Sequence, residues 1–72
     1  MPSASLRKRF GERVRALRKK KGWTQVEMAD YLGLDRSYVS QIENGKRNIT
    51  LDTLDIMARG LGVSLSKLFS KL

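Results

Sequence analysis

The chain has 72 residues, with 15 Lys plus Arg against 7 Asp plus Glu and a net charge of +8. It contains neither cysteine nor histidine, which excludes disulfides, thiolate or imidazole metal sites and the usual nucleophile and base pairs of catalysis. No apolar run approaches the roughly 20 residues that span a bilayer, so the expectation is a cytoplasmic, non-enzymatic domain without metal or cofactor. A single core of this size lies near the lower limit of independent stability, which keeps self-association in view. Nine of the cations fall between Arg7 and Lys21, and such an imbalance calls for a polyanion, either nucleic acid or an anionic membrane surface.

Residues 1–4 read as an N-terminal tail and residues 5–72 as one domain. Phe10, Val14 and Leu17 recur at i, i+4 and i+7, predicting a first helix over 5–20 with one apolar stripe and a cationic remainder. Gly22 stops it. Thereafter one helix-start signature occurs four times: an apolar residue, a Ser, Thr or Asp cap, and a second apolar residue four positions past the cap. Trp23, Thr24 and Met28 open the second helix; Leu34, Asp35 and Val39 the third; Ile49, Thr50 and Leu54 the fourth; Val63, Ser64 and Leu68 the fifth. Glu27 completes a capping box with Thr24. The second helix offers Met28, Ala29 and Leu32 to a core, the third only Val39 and Ile42, the fourth Leu51, Leu54, Met57, Ala58 and Leu61, and the fifth Leu65, Leu68 and Phe69. No strand alternation, repeat or low-complexity segment is present. The fold class is therefore all-α, a compact bundle of five short helices. Gly11 and Gly60 lie inside predicted helices, where each costs roughly 1 kcal/mol relative to alanine; they mark close helix contacts or tolerated weaknesses.

Only Gly33, Leu34 and Asp35 separate the second and third helices, which forces a tight corner. With one apolar face and one polar face on the third helix, the pair describes a helix-turn-helix. The segment "TQVEMADYLGLDRSYVSQIENGKRNITLDTLDIMARGLGVSLSKLF" resembles the lambda-repressor and Cro-like (Xre-type) DNA-binding family, which the similarity covers from about Phe10 to Phe69. The chain is also similar to the small controller regulators of restriction-modification systems. The resemblance implies double-stranded DNA as partner, the third helix in the major groove, and Arg36, Ser37, Ser40 and Gln41 as base readers. It further implies phosphate contacts from Gln25, Tyr38, Asn44, Lys46 and Arg47, and a structural ion pair between Arg18 and Glu43. The tyrosine ring has an alternative, packing against Leu34 or Met57.

The first helix's cations also suit a lipid surface, but Phe10, Val14 and Leu17 are needed to close the bundle, so no membrane role is expected. One helix reads only a few base pairs, so a homodimer on two half-sites is expected. Ile56, Leu65, Phe69 and Leu72 are its candidate interface, with burial inside the monomer an alternative for Leu65 and Phe69. No domain for a small-molecule effector is visible. The alternative function is a protein-binding module of the same fold, such as an antitoxin or coactivator.

Overall fold

The computed structural model describes residues 2–72, with side chains from Leu6 onward. Five helices follow in order: α1 Pro2–Lys20, α2 Gln25–Leu32, α3 Arg36–Glu43, α4 Leu51–Leu61 and α5 Leu65–Leu68. No strand occurs among the described residues, as the all-α reading requires. α1 begins at Pro2, three residues ahead of the expected start. Proline's fixed φ and missing N–H suit the first position of a helix, so residues 2–4, expected as tail, belong to α1. Met1 lies outside the described residues.

Each of the four expected caps is made. The Thr24 hydroxyl accepts from the Glu27 amide at 3.1 Å while the Glu27 carboxylate accepts from the Thr24 amide at 2.8 Å, closing the capping box. Asp35 accepts from the Ser37 amide at 2.9 Å, Thr50 from Thr53 at 3.1 Å and Ser64 from Lys67 at 3.0 Å. Such caps contribute about 1 kcal/mol each. The corner between α2 and α3 turns on Gly33, whose φ of 71° is left-handed. There the Leu34 amide donates back to the Ala29 carbonyl at 2.9 Å, which closes the helix end with a Schellman bond.

The core gathers Phe10, Val14 and Leu17 of α1, Met28 and Ala29 of α2, Val39 and Ile42 of α3, Met57, Ala58 and Leu61 of α4, and Leu68 of α5. Full burial of each large side chain contributes about 1.5–3 kcal/mol. Five expected core positions fall outside it: Leu32 and Leu54 are partly buried against its edge, and Leu51, Leu65 and Phe69 are exposed. Leu51 is 82% exposed, because it occupies the first position of α4, beyond the reach of the other helices. Thr53 is buried in that turn instead, accepting hydrogen bonds from the hydroxyls of Tyr38 at 3.2 Å and Thr50 at 3.1 Å. Leu65 is 48% and Phe69 41% exposed, because α5 is only four residues long and commits Leu68 alone to the interior. The Phe69 ring lies on the core's edge with its centroid 5.4 Å from that of Phe10.

α1 and α3 meet almost backbone to backbone. A Cβ at Gly11 would stand 2.5 Å from the carbonyl oxygens of both Ile42 and Glu43, and one at Gly45 would stand 2.8 Å from the Lys8 Cα. Gly45 also has a left-handed φ of 71°, so close approach and backbone conformation both require glycine there. Gly60 differs in kind, since its added Cβ would strike the flexible end of the Leu32 side chain. Gly11→Ala is expected to gain about 1 kcal/mol in helix propensity but lose more by forcing two backbones apart. The net loss of about 1–2 kcal/mol corresponds to a midpoint lower by roughly 5–15 °C. Gly60→Ala should cost less, because Leu32 can rotate. Thermal melts of both variants by circular dichroism check the order, and a Gly11→Ala melt above wild type would refute the close-contact account.

Candidate nucleic-acid interface

α3 divides into two faces. Val39, Ile42 and Glu43 turn inward and are buried, whereas Arg36, Ser37 and Asn44 are exposed and Ser40 and Gln41 half-buried. At about 100° per residue, Arg36, Ser37, Ser40, Gln41 and Asn44 occupy one outward arc of roughly 140°, with no apolar side chain among them. The four expected readers are thus brought together on a single face. Tyr38 flanks this arc, half-buried against the core.

The inward face is held by polar as well as apolar contacts. The Glu43 side chain is fully buried, and Arg18 reaches it with two bonds, Nε to Oε2 at 2.7 Å and Nη2 to Oε1 at 3.1 Å. Oε1 also accepts from Gln25 Nε2 at 3.1 Å and from Arg15 Nε at 3.3 Å. Arg18 extends the network to α2's entrance by donating from Nη1 to the Trp23 carbonyl at 2.7 Å. Burial pushes the Glu43 carboxyl up. The hydrogen bonds from Arg18 and Gln25, the Arg18 charge and the Arg15 bond outweigh that push and hold it below its ordinary value. At the other end of α3, bonds from the Ser37 amide and hydroxyl hold the exposed Asp35 carboxyl low, so the cap stays charged.

The expected phosphate anchors are placed differently from one another. Gln25, at the first position of α2, spends one amide N–H on Glu43 and keeps its second. Tyr38 gives its only hydroxyl proton to Thr53 at 3.2 Å. Since phosphate oxygens only accept, that proton is unavailable to them while the bond stands. Asn44 accepts from Arg15 Nη2 at 3.3 Å through its oxygen, leaving its NH₂ group outward. Lys46 is exposed in the loop after α3. Arg47 lies with its guanidinium carbon 4.9 Å from the centre of the Tyr38 ring and donates to Gln41 Oε1 at 2.7 Å. Asp35, Ser37, Tyr38, Arg47, Asn48 and Thr50 line a cleft of about 400 Å³ beside α3's start.

In the sequence Arg15 falls in the cationic remainder of the first helix. Its signal was spacing: Gly11, Arg15 and Arg18 recur at i, i+4 and i+7, the face of α1 that meets α3. Arg13, Lys20 and Lys21 point to the opposite side, where with Lys67 and Lys71 they line an open groove of about 970 Å³ between α1 and α5. These five cations lie away from the α3 face, so they act on a polyanion held there only at long range.

This geometry defines a helix-turn-helix domain, and a family profile described as Helix-turn-helix matches residues 14–68. The chain therefore belongs to the helix-turn-helix family. It is 49% identical over 63 residues to Control protein C.MunI of Mycoplasma sp, covering 86% of this chain and 85% of that one. Its fold is similar to that of the restriction-modification controller protein C.AhdI from Aeromonas hydrophila, with a TM-score of 0.82 and 43% identity over 90% of this chain and 97% of the other. The controller protein C.Esp1396I, solved as a tetramer in complex with its natural 35 base-pair operator, matches with a TM-score of 0.76 and 34% identity, covering 92% and 96% of the two chains.

The Glu43 network predicts an acid limb in stability. A carboxyl held low in the fold contributes stability above its ordinary value of 4.5, and that contribution is lost as pH falls from there through the lowered folded value. Urea unfolding between about pH 3 and 7 should show wild type losing stability below about pH 4.5, and Glu43→Gln losing less over the same range. At neutral pH the variant should be less stable by about 3 kcal/mol or more, because Arg18 is left with an uncompensated charge. Parallel acid limbs in the two proteins would overturn this role.

Proposed function

We propose that this chain is a sequence-specific double-stranded DNA-binding transcriptional regulator of the restriction-modification controller kind. It lays α3 in the major groove and acts as a homodimer on an operator of two half-sites. The observation that carries the reading is the outward arc of α3, where Arg36, Ser37, Ser40 and Gln41 stand together while the buried Glu43 anchors the helix to α1 and α2. Arg36 can fork onto guanine, the Ser40 hydroxyl can donate or accept, the Ser37 hydroxyl, whose proton goes to Asp35, can accept, and the Gln41 amide can address base edges. Gln25, Asn44, Lys46 and Arg47 surround that arc and supply backbone contacts, which set register and make affinity salt-dependent; Tyr38 contributes by supporting Arg47. The net charge of +8 favours this partner from a distance. C.Esp1396I, a similar protein, was solved in complex with its operator, which supports the same partner for this chain.

The proposed dimer surface is formed by Ile56, Leu65, Phe69 and Leu72. The first three are 38%, 48% and 41% exposed. The domain's extents of 32 × 24 × 21 Å suit two copies side by side with their reading helices about 34 Å apart, one turn of the duplex. On this reading Ile56→Glu shifts the protein from dimer to monomer in sedimentation velocity at micromolar concentration; a monomeric wild type, with and without DNA, would remove the dimer.

Selection of bound duplexes from a random pool supplies the operator. On it, Arg36→Ala is expected to cost about 1–3 kcal/mol and to cost little on unrelated DNA, whereas Lys46→Ala weakens both and lowers the salt slope by about one. Equal losses of Arg36→Ala on both DNAs would defeat its assignment as a reader.

A further inference from the structure

We propose that Arg47 is a positioning residue for base readout: it holds the carbonyl oxygen of Gln41, so that the Gln41 amide offers its NH₂ group to the duplex and selects guanine over adenine. The inference rests on the reading that α3 enters the major groove.

A free glutamine favours adenine, because its oxygen accepts from N6 while its NH₂ donates to N7. That pairing needs both ends of the amide. Here Arg47 Nη1 donates to Gln41 Oε1 at 2.7 Å, the length of a charge-assisted bond. A guanidinium has only donors, so the amide end that faces Arg47 must be the oxygen. The orientation is chemically determined: Arg47 takes one of the two lone pairs of that oxygen and turns it toward the loop, so the NH₂ group is the end turned toward a ligand. Two outward protons match the N7 and O6 acceptors of guanine, whereas adenine offers one acceptor and sets its N6 amino group against them.

Arg47 is itself held in place. Its guanidinium lies over the Tyr38 ring at 4.9 Å, and the ring is fixed by its hydroxyl bond to Thr53 at 3.2 Å. Thr53 is buried and accepts from the cap residue Thr50 at 3.1 Å. A continuous chain of contacts thus runs from the first turn of α4, through Tyr38 and the α3–α4 loop, to one reader on α3. Preorganisation of this kind reduces the rotamer freedom that Gln41 gives up on meeting the DNA.

The test is selection from random duplexes with wild type, Arg47→Ala, Gln41→Ala and the double variant. It is scored as the ratio of guanine to adenine at each position, so that any loss of folded protein cancels. Wild type should prefer guanine over adenine at one position per half-site by about fivefold or more. Arg47→Ala should level or reverse that ratio. Gln41→Ala should abolish it, and adding Arg47→Ala to Gln41→Ala should change overall affinity without changing the ratio. Adenine selected by wild type at the Gln41-dependent position would overturn the proposal. So would an Arg47→Ala variant that binds every duplex more weakly with its ratios intact, or a Gln41→Ala variant with the wild-type preferences. If wild type enriches no sequence at all, the proposed function fails with it; if wild type enriches an operator and only the Gln41 result is missing, this inference alone fails.

Discussion

The buried carboxylate of Glu43 is the constraint on which the arrangement depends. Taking a charge out of water costs several kcal/mol unless its lone pairs are met by well-placed donors. In this fold they come from Arg18 and Arg15 on α1 and from Gln25 on α2. Satisfying that one group therefore fixes α3 relative to both of its neighbours. The same contact region is where Gly11 and Gly45 let backbones touch, so a shift of either helix along the other would lengthen the bonds and close the gap between carbonyls together. Two apolar residues, Val39 and Ile42, suffice to complete the seat.

Because so few positions are needed inward, the rest of α3 is left facing outward. Its N-terminus is closed by Asp35 and its C-terminus by the turn through Gly45, leaving Arg36, Ser37, Ser40 and Gln41 no structural duty in the core. The loop that follows is not merely a connector. Arg47 folds back over Tyr38 onto Gln41, so the direction in which the Gln41 amide faces depends on residues of the loop and of α4. The cations are partitioned by the same geometry. Arg15 and Arg18 serve the Glu43 network, while Arg13, Lys20 and Lys21 turn toward α5 and act on an anion at α3 only through the field.

The starts of α2 to α5 and the glycine stops were legible from the chain, since a cap bonds to an amide two or three residues away and a glycine stop needs only its own φ; the start of α1, which no such cap residue precedes, was not. Exposure at the edges of the bundle was less legible. Leu51 and Leu65 share the apolar spacing of their helices, yet each sits in a first turn where no neighbouring helix covers it. Periodicity assigns a face; it does not say how far along the helix that face is occupied. Arg15 was missed for a related reason, because composition marks a cation without marking what it reaches.

The sequence by itself determined the number of helices, their caps, the tight corner at Gly33 and the residue types on α3's outward arc, all of which follow from interactions within about one helical turn. Only the tertiary structure decided that Glu43 would collect donors from two other helices, that the Tyr38 hydroxyl would serve Thr53, and that Arg47 would hold the oxygen of Gln41. These pairings join residues up to 28 apart in the chain, and a hydrogen bond forms only where packing has first brought donor and acceptor within about 3 Å.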